Sequence, residues 1–378
     1  MPTETQEMRT TQAAVVPAPG APFELQQLRL SPPRPDEVIV ELEACGMCHA
    51  DLSAQAGHIP FPLPGVLGHE GVGRIVETGA GVTDLAVGQR VVISFTSCGQ
   101  CPACLNATPG YCTQWPVLNL VGGGRGDGSS SLCAHGHAVH SHFFGQSSFS
   151  SYVATAARAV IPVPDDLPAA ILAPLGCGVQ TGVCAVTDVL KPAPGARVAI
   201  FGAGAVGMSA LMGLSLTGAS QIIAVDMHPG RLALARELGA TDVIDAGQQD
   251  VAGEIARLTG GAGLDGVIET SGNVGALEGA IAALGSAGTC VIVGVPGHGE
   301  RASFDVVDLV ARGLRIVGTN QGDANPRVVI PRLIDLYRRG RLPIERIVTT
   351  FAFEDINTAS AASLAGTVIK PVLTMPGH

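Results

Sequence analysis

A glycine-rich turn lies between an apolar run and a helical run near the middle of this chain of 378 residues. Arg197–Phe201 has the composition of a buried strand, and Gly202-Ala-Gly204-Ala-Val-Gly207 follows it directly. Small apolar residues then continue at helical spacing to about Leu216, and a second apolar run, Ile222–Val225, leads into Asp226. A strand, a glycine turn, a helix and an acidic residue in this order predict a βαβ unit that binds a dinucleotide.

Each residue of the turn has an expected part in binding the cofactor. Gly202 permits the tight turn, Gly204 lets the backbone approach the pyrophosphate, and Gly207 lets the helix pack closely on the strand. Val206 lies in the first turn of the helix, whose free N–H groups and dipole favour the phosphates. Asp226 predicts NAD, because a carboxylate accepts from ribose hydroxyls and repels the 2′-phosphate of NADP. A glycine-rich turn without a ligand is the alternative.

The composition of the chain changes near residue 180, which predicts two domains. Before it, short Val-rich runs bounded by Gly and Pro are typical of an irregular β domain. After it, strands alternate with helices, which predicts a parallel sheet. Residues 121–142, rich in Gly, Ser and His, predict a long surface loop. A helical stretch, Pro331–Arg339, and a strand-like run, Ile369–Leu373, close the chain.

Four cysteines, Cys98, Cys101, Cys104 and Cys112, crowd into one short segment. Four thiolates suit a closed tetrahedral zinc site with a structural role. An iron–sulfur cluster also uses four cysteines, but no companion cluster motif accompanies them. This clustering in a long chain indicates a metal site in a reducing compartment, and we expect a cytoplasmic protein.

A second group of candidate ligands is dispersed along the chain. Cys48 occurs in Gly-Met-Cys-His-Ala-Asp, the pair His69-Glu70 in Gly-His-Glu-Gly-Val-Gly, and Cys177 in Leu-Gly-Cys-Gly. Taken singly these residues are weak signals, because an isolated His or Cys is more often part of a core than a ligand.

Together, the motifs resemble those of the medium-chain zinc alcohol dehydrogenase family, in the same order and spacing. The segments that carry the resemblance are GMCHAD, GHEGVG, the four-cysteine segment, LGCGVQTG, and GAGAVG with Asp226. The later stretch GTNQGDANPRVVIPRLIDLYRRGRL resembles the benzyl (aryl) alcohol and geraniol dehydrogenase branch. The resemblance implies an α/β fold: an irregular β-rich, GroES-like catalytic domain over residues 1–178, a doubly wound Rossmann domain over 179–321, and a return segment over 322–378.

The resemblance also implies a role for each residue of the dispersed group. Cys48, His69 and Cys177 would hold a catalytic zinc, the open Cys₂His arrangement for which alcohol dehydrogenases are the standard example. Asp51 would orient His69, and Glu70 would lie behind the metal. The further positions implied are His49 on the pyrophosphate, Val295 beside the cofactor, and Ile59, Ser94, Phe95, Phe143 and Val295 around the substrate.

The implied reaction is oxidation of a small primary alcohol, aryl, allylic or of medium length, to its aldehyde, and the reverse. Zinc favours the alkoxide, which passes a hydride to NAD. Ala50 departs from the family pattern, because the family has Ser or Thr there to take the alcohol proton. Ser53 occupies a position where some members carry a relay histidine. A reductase of an activated carbonyl, enal or iminium is therefore the alternative activity.

The remaining expectations concern partners. A formal net charge of -10 argues against nucleic acid or an anionic membrane as a partner. A zinc-ribbon nucleic-acid binder is disfavoured further because no Lys or Arg lies between the four clustered cysteines. A non-enzymatic NAD sensor is disfavoured because all three residues of the open zinc site are present. The resemblance implies a homodimer, with a homotetramer as the alternative.

Overall fold

The computed structural model describes residues 8–297 and 299–377. They form two compact units. The first contains the chain up to Cys177, Asn325–Pro331 and the chain from Val348 onward, and the second contains Gly178–Ala324 and Arg332–Ile347. This division assigns Arg332–Ile347 to the second unit, whereas the sequence prediction assigned all of 322–378 to the catalytic domain.

The strands are defined by their backbone pairing. In chain order they are β1 Arg9–Val16, β2 Glu24–Leu30, β3 Glu37–Gly46, β4 Gly65–Val66, β5 Glu70–Thr78, β6 Arg90–Ile93, β7 Leu132–Ala134, β8 His137–Val139, β9 Tyr152–Ala156, β10 Val160–Pro162, β11 Arg197–Phe201, β12 Gln221–Asp226, β13 Asp242–Asp245, β14 Leu264–Glu269, β15 Leu284–Ile292, β16 Arg315–Gly318, β17 Val348–Ala352 and β18 Lys370–Thr374.

The helices are short in the first unit and longer in the second. In chain order they are α1 His49–Gln55, α2 Pro102–Leu105, α3 Ala169–Leu172, α4 Gly178–Cys184, α5 Ala205–Leu214, α6 Pro229–Glu237, α7 Val251–Leu258, α8 Val274–Ala282, α9 Val306–Arg312, α10 Pro326–Arg338 and α11 Ile356–Leu364. Short 3₁₀ and π turns connect several of them.

The first unit is built from two sheets. One has the order β4-β1-β2-β7-β8, and the other has the order β10-β6-β5-β3-β18-β17, with β9 also paired to β3. The strands of these sheets pair antiparallel, except that β17 and β18 are parallel. The core is apolar and includes the fully buried rings of Phe143, Phe149 and Phe353. The prediction of an irregular β domain is confirmed.

The second unit is a six-stranded parallel sheet with the order β13-β12-β11-β14-β15-β16. The strand order reverses at β11, which lies between β12 and β14, so that Val198 is aligned with Ile222 on one side and Gly266 on the other. This is the doubly wound order, in which ligands bind where the strand order reverses. The predicted Rossmann fold is confirmed.

The segment predicted as a surface loop is partly buried. Within it lie the short strands β7 and β8, and Arg125, Ser131 and His142 are all at least nine-tenths buried. Burial is possible because Arg125 forms two 2.7 Å hydrogen bonds with the carboxylate of Glu37 at the start of β3, which offsets the cost of removing both charges from water.

Among the described residues, no single helix is long and apolar enough to cross a membrane; the broken pair Ala169–Gly176 and Gly178–Leu190 reaches that length and composition only when its two parts are counted together.

Candidate active site

The structure brings the dispersed group of the first unit together. One ligand atom from each of Cys48, His69, Glu70 and Cys177 lies within 4.8 Å of the others. The sheet order explains this convergence. Cys48 follows β3 and His69 precedes β5, and these strands pair so that Gly46 is opposite Glu70. Gly176, next to Cys177, is held by Ser94, which directly follows β6 and whose hydroxyl donates to the Gly176 carbonyl oxygen at 2.6 Å.

Asp51 fixes the geometry around His69. Its side chain is fully buried on α1, and one carboxylate oxygen lies 2.9 Å from Nδ1 of His69 while accepting from the Gly68 N–H at 3.0 Å. The other oxygen accepts from the Cys48 N–H at 2.8 Å. One carboxylate therefore ties the segments of Cys48 and His69 together and holds the imidazole in one orientation, which is the arrangement expected of a residue that would support a metal ligand.

The other ring nitrogen of His69 is unsatisfied. Nε2 is buried and has no hydrogen-bond partner in residues 8–297 or 299–377. The ring is stacked on Phe144, with centroids 4.3 Å apart, and Phe143 packs on it edge-to-face. Burial opposes protonation, but the charge of Asp51 outweighs it and raises the pKa of His69 to about 10. A basic nitrogen without a partner beside two thiols fits a zinc ligand.

The two cysteines of this group differ in acidity. The pKa of Cys48 is lowered well below its usual value, chiefly by a hydrogen bond from Cys177, while the pKa of Cys177 is raised by the same contact and by burial. An acidic thiol beside a second thiol is suited to zinc, which binds cysteine as the thiolate.

Sequence reasoning missed Lys370, which lies behind this cluster. Its ammonium group is 1% exposed and lies 2.8 Å and 3.0 Å from the two oxygens of Glu70, and it donates to the Met47 carbonyl at 3.1 Å. Burial raises the pKa of Glu70, and Lys370 opposes that shift. Gly46 leaves the space for this pair, because a Cβ there would lie 2.0 Å from Glu70 Oε2. The only sequence signal was a charge at the start of an otherwise apolar terminal strand.

The four clustered cysteines also converge. Their sulfur atoms lie within 4.8 Å of one another, with 3.5 Å between Cys101 and Cys104 and 3.9 Å between Cys98 and Cys104. Thiolates about 2.3 Å from one zinc ion in a tetrahedron are about 3.8 Å apart. Backbone N–H groups donate to the sulfurs of Cys98 and Cys112, and hydrogen bonds from the backbone lower the pKa of Cys101 to about 6. The set fits zinc.

In the second unit, the glycine turn has the geometry expected for a dinucleotide. Gly202 has φ +91°, which L side chains rarely adopt, and a Cβ at Gly207 would lie 1.8 Å from the Gly202 carbonyl oxygen. A Cβ at Gly204 would meet nothing within 4 Å, so the space beside this residue is open. Gly204 is the N-cap of α5, and Val206 lies in its first turn.

Asp226 ends β12 close to that turn. Its carboxylate accepts from the Ala203 N–H at 2.7 Å and from the His228 N–H at 2.9 Å. Arg231 Nη1 lies 3.9 Å from the same carboxylate. The acid that would select the cofactor thus also braces the glycine turn.

Other predicted positions are found as follows. His49 is exposed on α1, while Ala50 is half-buried and packs against the core of the first unit. Ser94 and Phe143 are fully buried, so neither side chain presents a surface to solvent in this structure. Phe95 is 5% exposed. Val295, in the second unit, is 86% exposed.

The comparisons with known proteins cover both units. Residues 34–165 match the model of the alcohol dehydrogenase GroES-like domain, and residues 205–338 match that of the zinc-binding dehydrogenase. The chain is 40% identical to geraniol dehydrogenase of Castellaniella defragrans, over 98% of this chain and 99% of that protein.

Two solved structures are similar over nearly their whole length. An alcohol dehydrogenase zinc-binding domain protein from Burkholderia ambifaria superimposes with a TM-score of 0.94 at 45% identity, covering 98% of this chain and 100% of the other. Benzyl alcohol dehydrogenase from Acinetobacter calcoaceticus gives a TM-score of 0.93 at 41% identity, covering 97% and 99%.

Proposed function

This chain belongs to the medium-chain zinc alcohol dehydrogenase family, and we propose that it oxidises aryl and allylic primary alcohols to aldehydes with NAD as hydride acceptor. Zinc-dependent oxidation of an alcohol follows from the family. The substrate class is supported by the similarity to proteins named geraniol dehydrogenase and benzyl alcohol dehydrogenase. The alternative of a reductase for activated carbonyls, enals or iminium ions is not favoured by these relatives.

The observation that carries the proposal is the cluster of half-buried Cys48 with buried His69 and Cys177, in which one imidazole nitrogen has no hydrogen-bond partner among the described residues. These three residues would hold a zinc ion, whose positive charge would lower the pKa of an alcohol hydroxyl and polarise an aldehyde. Asp51 keeps the His69 ring in the ligating orientation through Nδ1. Lys370 forms an ion pair with the Glu70 carboxylate behind the cluster and restricts its rotation.

Proton removal must use groups other than the side chain of Ala50, which is the second residue after Cys48. Ala50 follows His49 on α1 and has no hydroxyl, so the side chain that takes the alcohol proton in the family is absent. We infer that water, held near Ser53 or by the cofactor ribose, takes the proton instead. His49 is proposed to contact the cofactor pyrophosphate.

NAD is the proposed cofactor because a carboxylate occupies the end of β12. Asp226 presents negative charge at the point where the 2′-phosphate of NADP would be carried. Gly202, Gly204, Val206 and Gly207 are proposed to hold the pyrophosphate, and Val295 to lie beside the cofactor. Arg231 Nη1 lies 3.9 Å from this carboxylate, so the nearby guanidinium is already partnered by Asp226.

The proposed assembly is a homodimer formed through the second unit. Strand β16 is an edge strand that pairs only with β15 in the described chain. On the neighbouring helix α9, Val306, Val307 and Val310 are 65%, 77% and 75% exposed. The unpaired backbone groups of an edge strand and exposed valines both become buried when such a surface pairs with a second copy of the chain. Sedimentation of the wild-type protein and of variants with Arg or Glu at Val307 and Val310 measures the oligomeric state and tests this assembly. A homotetramer is the other outcome.

A cytoplasmic location is proposed on the chemistry of the cysteines. Zinc sites of thiolates persist in a reducing compartment. None of the described cysteines forms a disulfide, although four of them lie within a single short segment.

The decisive experiment measures NAD reduction with benzyl alcohol, geraniol, 1-octanol and ethanol, beside elemental analysis of zinc. We expect the highest kcat/KM with benzyl alcohol or geraniol. Cys48→Ser is expected to abolish turnover, whereas the control Cys133→Ser, a half-buried cysteine of β7 outside both clusters, keeps it. Equal rates for the two variants would overturn the assignment of the active site.

A further inference from the structure

One face of the His69 ring is covered by Phe144. The two rings are 20° from parallel with centroids 4.3 Å apart, and Phe144 is 7% exposed. A carboxylate oxygen of Asp51 lies 2.9 Å from Nδ1 of the imidazole and fixes one direction in the plane of the ring. That hydrogen bond alone leaves the ring free to tilt about it, and the stacked phenyl ring blocks the tilt. Phe144 therefore completes the positioning of His69 within the cluster of Cys48, His69 and Cys177 (the active-site cluster).

The backbone of Phe144 adopts a left-handed conformation, with φ 50° and ψ 36°. This conformation is rare for a bulky side chain and persists only where the surrounding structure imposes it. The next residue, Gly145, packs closely on Thr96, because a Cβ at Gly145 would lie 2.6 Å from Thr96 Cγ2. The Gly145 carbonyl also accepts from the Thr155 hydroxyl at 2.8 Å. Neighbouring segments of the first unit, rather than local preference, therefore determine where the Phe144 ring lies.

Trp115 connects Phe144 to the four-cysteine segment. The two rings are nearly perpendicular, at 88°, with centroids 5.5 Å apart. Trp115 lies shortly after Cys112, the last cysteine of the segment, and its backbone N–H donates to the Cys112 carbonyl at 2.8 Å. Cys112 is 3% exposed, and its sulfur accepts from the Cys98 N–H at 3.2 Å. Successive contacts thus join this segment to His69 through two aromatic rings.

Asn119 ties the two ends of the four-cysteine segment together. Its side chain is fully buried, and its amide oxygen accepts from the Thr96 N–H at 3.0 Å. Its amide nitrogen donates to the carbonyls of Thr96 and Trp115, at 3.0 Å and 2.9 Å. Thr96 lies just before the segment and Trp115 just after it. Both ends therefore reach Phe144, one through the contact of Thr96 with Gly145 and the other through the indole ring.

We propose that the four-cysteine segment has a second role besides stability: through Trp115 and Phe144 it positions His69, so that zinc in the segment helps the active-site cluster to retain its own zinc. The proposal rests on the metal site of the proposed function and adds a coupling between the two metal sites. A metal ion bound to His69 would make the imidazole electron-poor, and the electron-rich face of a stacked phenyl ring favours such a partner. Close packing transmits a displacement of Trp115 to that face, because a dense interior cannot absorb it locally.

The test follows the release of zinc to a chelator, starting from protein loaded with zinc at both sites. Cys48→Ser retains only the zinc of the four-cysteine segment, so its time course identifies which release belongs to the active-site cluster. Phe144→Leu and Trp115→Leu keep an apolar side chain but lose the ring. Each is expected to speed release from the active-site cluster about tenfold, because loss of a group that supports a metal ligand weakens metal binding by about 10–100-fold.

Two further variants separate positioning of His69 from simple core packing. Trp115→Phe keeps an aromatic ring and is expected to release the active-site zinc at nearly the wild-type rate. Phe353→Leu, at a fully buried phenylalanine of the same unit that lies outside the stack, is the control, and it should lower the melting temperature while leaving zinc release unchanged. If release instead follows the melting temperature across all the leucine variants, the rings only fill the core and the proposal is wrong.

Cys104→Ser tests whether the effect originates in the four-cysteine segment. Loss of the zinc there should speed release from the active-site cluster about as much as Trp115→Leu does, and the double variant should add little, because both changes interrupt one connection. Independent, additive effects would overturn the proposal. Wild-type release rates in Phe144→Leu and Trp115→Leu would overturn it as well, even if Cys104→Ser fails to fold. A wild-type protein that binds no zinc at the active-site cluster would contradict the proposed function instead.

Discussion

Lys370 and Glu70 are 300 residues apart in sequence, yet the lysine ammonium lies 2.8 Å from the glutamate carboxylate, with both side chains excluded from solvent. Two pairings at Gly46 bring them together, since β3 aligns this residue with Glu70 of β5 and with Val372 of β18. Strand β18 thereby reaches the back of the cluster of Cys48, His69 and Cys177.

Lys370→Met is expected to lower the free energy of unfolding by about 3–5 kcal/mol, because it leaves the Glu70 charge buried without a partner. Adding Glu70→Gln should restore part of that loss. Urea unfolding of both variants measures the effect, and Lys191→Met, at the only other lysine of the chain and an exposed one, is the control. A loss under 1 kcal/mol for Lys370→Met would show that the pair is not coupled.

Freshly prepared protein is expected to contain two zinc ions per chain. Cys104→Ser should lose one of them and lower the melting temperature, because a structural zinc contributes directly to folding. Cys48→Ser should keep the fold and that zinc while losing turnover. Elemental analysis and calorimetry check both, and a single zinc in the wild-type protein would contradict this expectation.

Asp51→Asn is expected to weaken zinc binding at the Cys48, His69 and Cys177 cluster by about 10–100-fold, since the carboxylate that orients the histidine is lost. The amide keeps the size of the side chain, so the fold should be retained. Competition with a chelator, followed by loss of activity, measures the affinity. Zinc in the four-cysteine segment is the internal control, and its release rate should be unchanged.

Asp226→Gly is expected to shift cofactor preference towards NADP by at least about tenfold, because a unit charge at ~4 Å is worth ~1–4 kcal/mol. The structure adds a second effect, since the carboxylate also accepts from Ala203 and His228. Asp226→Asn removes the charge and keeps an acceptor, so it separates the two effects. The measurement is kcat/KM for both cofactors, and a wild-type preference for NADP would disprove the assignment.

Ala50→Ser is expected to raise turnover of a simple aliphatic alcohol more than that of benzyl alcohol. General acid–base assistance is typically worth ~10²–10⁴ in rate, and alcohols with more acidic carbinols need less of it. The alternative is that Ala50 only widens the pocket, in which case the serine slows bulky substrates and leaves the pH–rate profile unmoved. Profiles of both proteins on both alcohols distinguish these outcomes.

The sequence was sufficient for the glycine turn and for the four clustered cysteines, which depend on local spacing. Gly202, Gly204 and Gly207 with Asp226 predicted the βαβ turn, because turn, helix and strand lengths are local properties. Cys98, Cys101, Cys104 and Cys112 lie so close along the chain that they must be near one another when folded. The family motifs identified Cys48, His69 and Cys177 as a set, although spacing alone could not have done so.

Tertiary structure decided the features that depend on pairing between distant segments. Helix α10 begins at Pro326, five residues before the predicted start at Pro331. The Gly-, Ser- and His-rich segment 121–142 was predicted to be exposed, yet Arg125 is buried because Glu37, 88 residues away, supplies the opposite charge. Lys370 contacts Glu70 only because β18 and β5 both pair with β3. Burial and charge pairing are set by which strands become neighbours, and no local pattern encodes that choice.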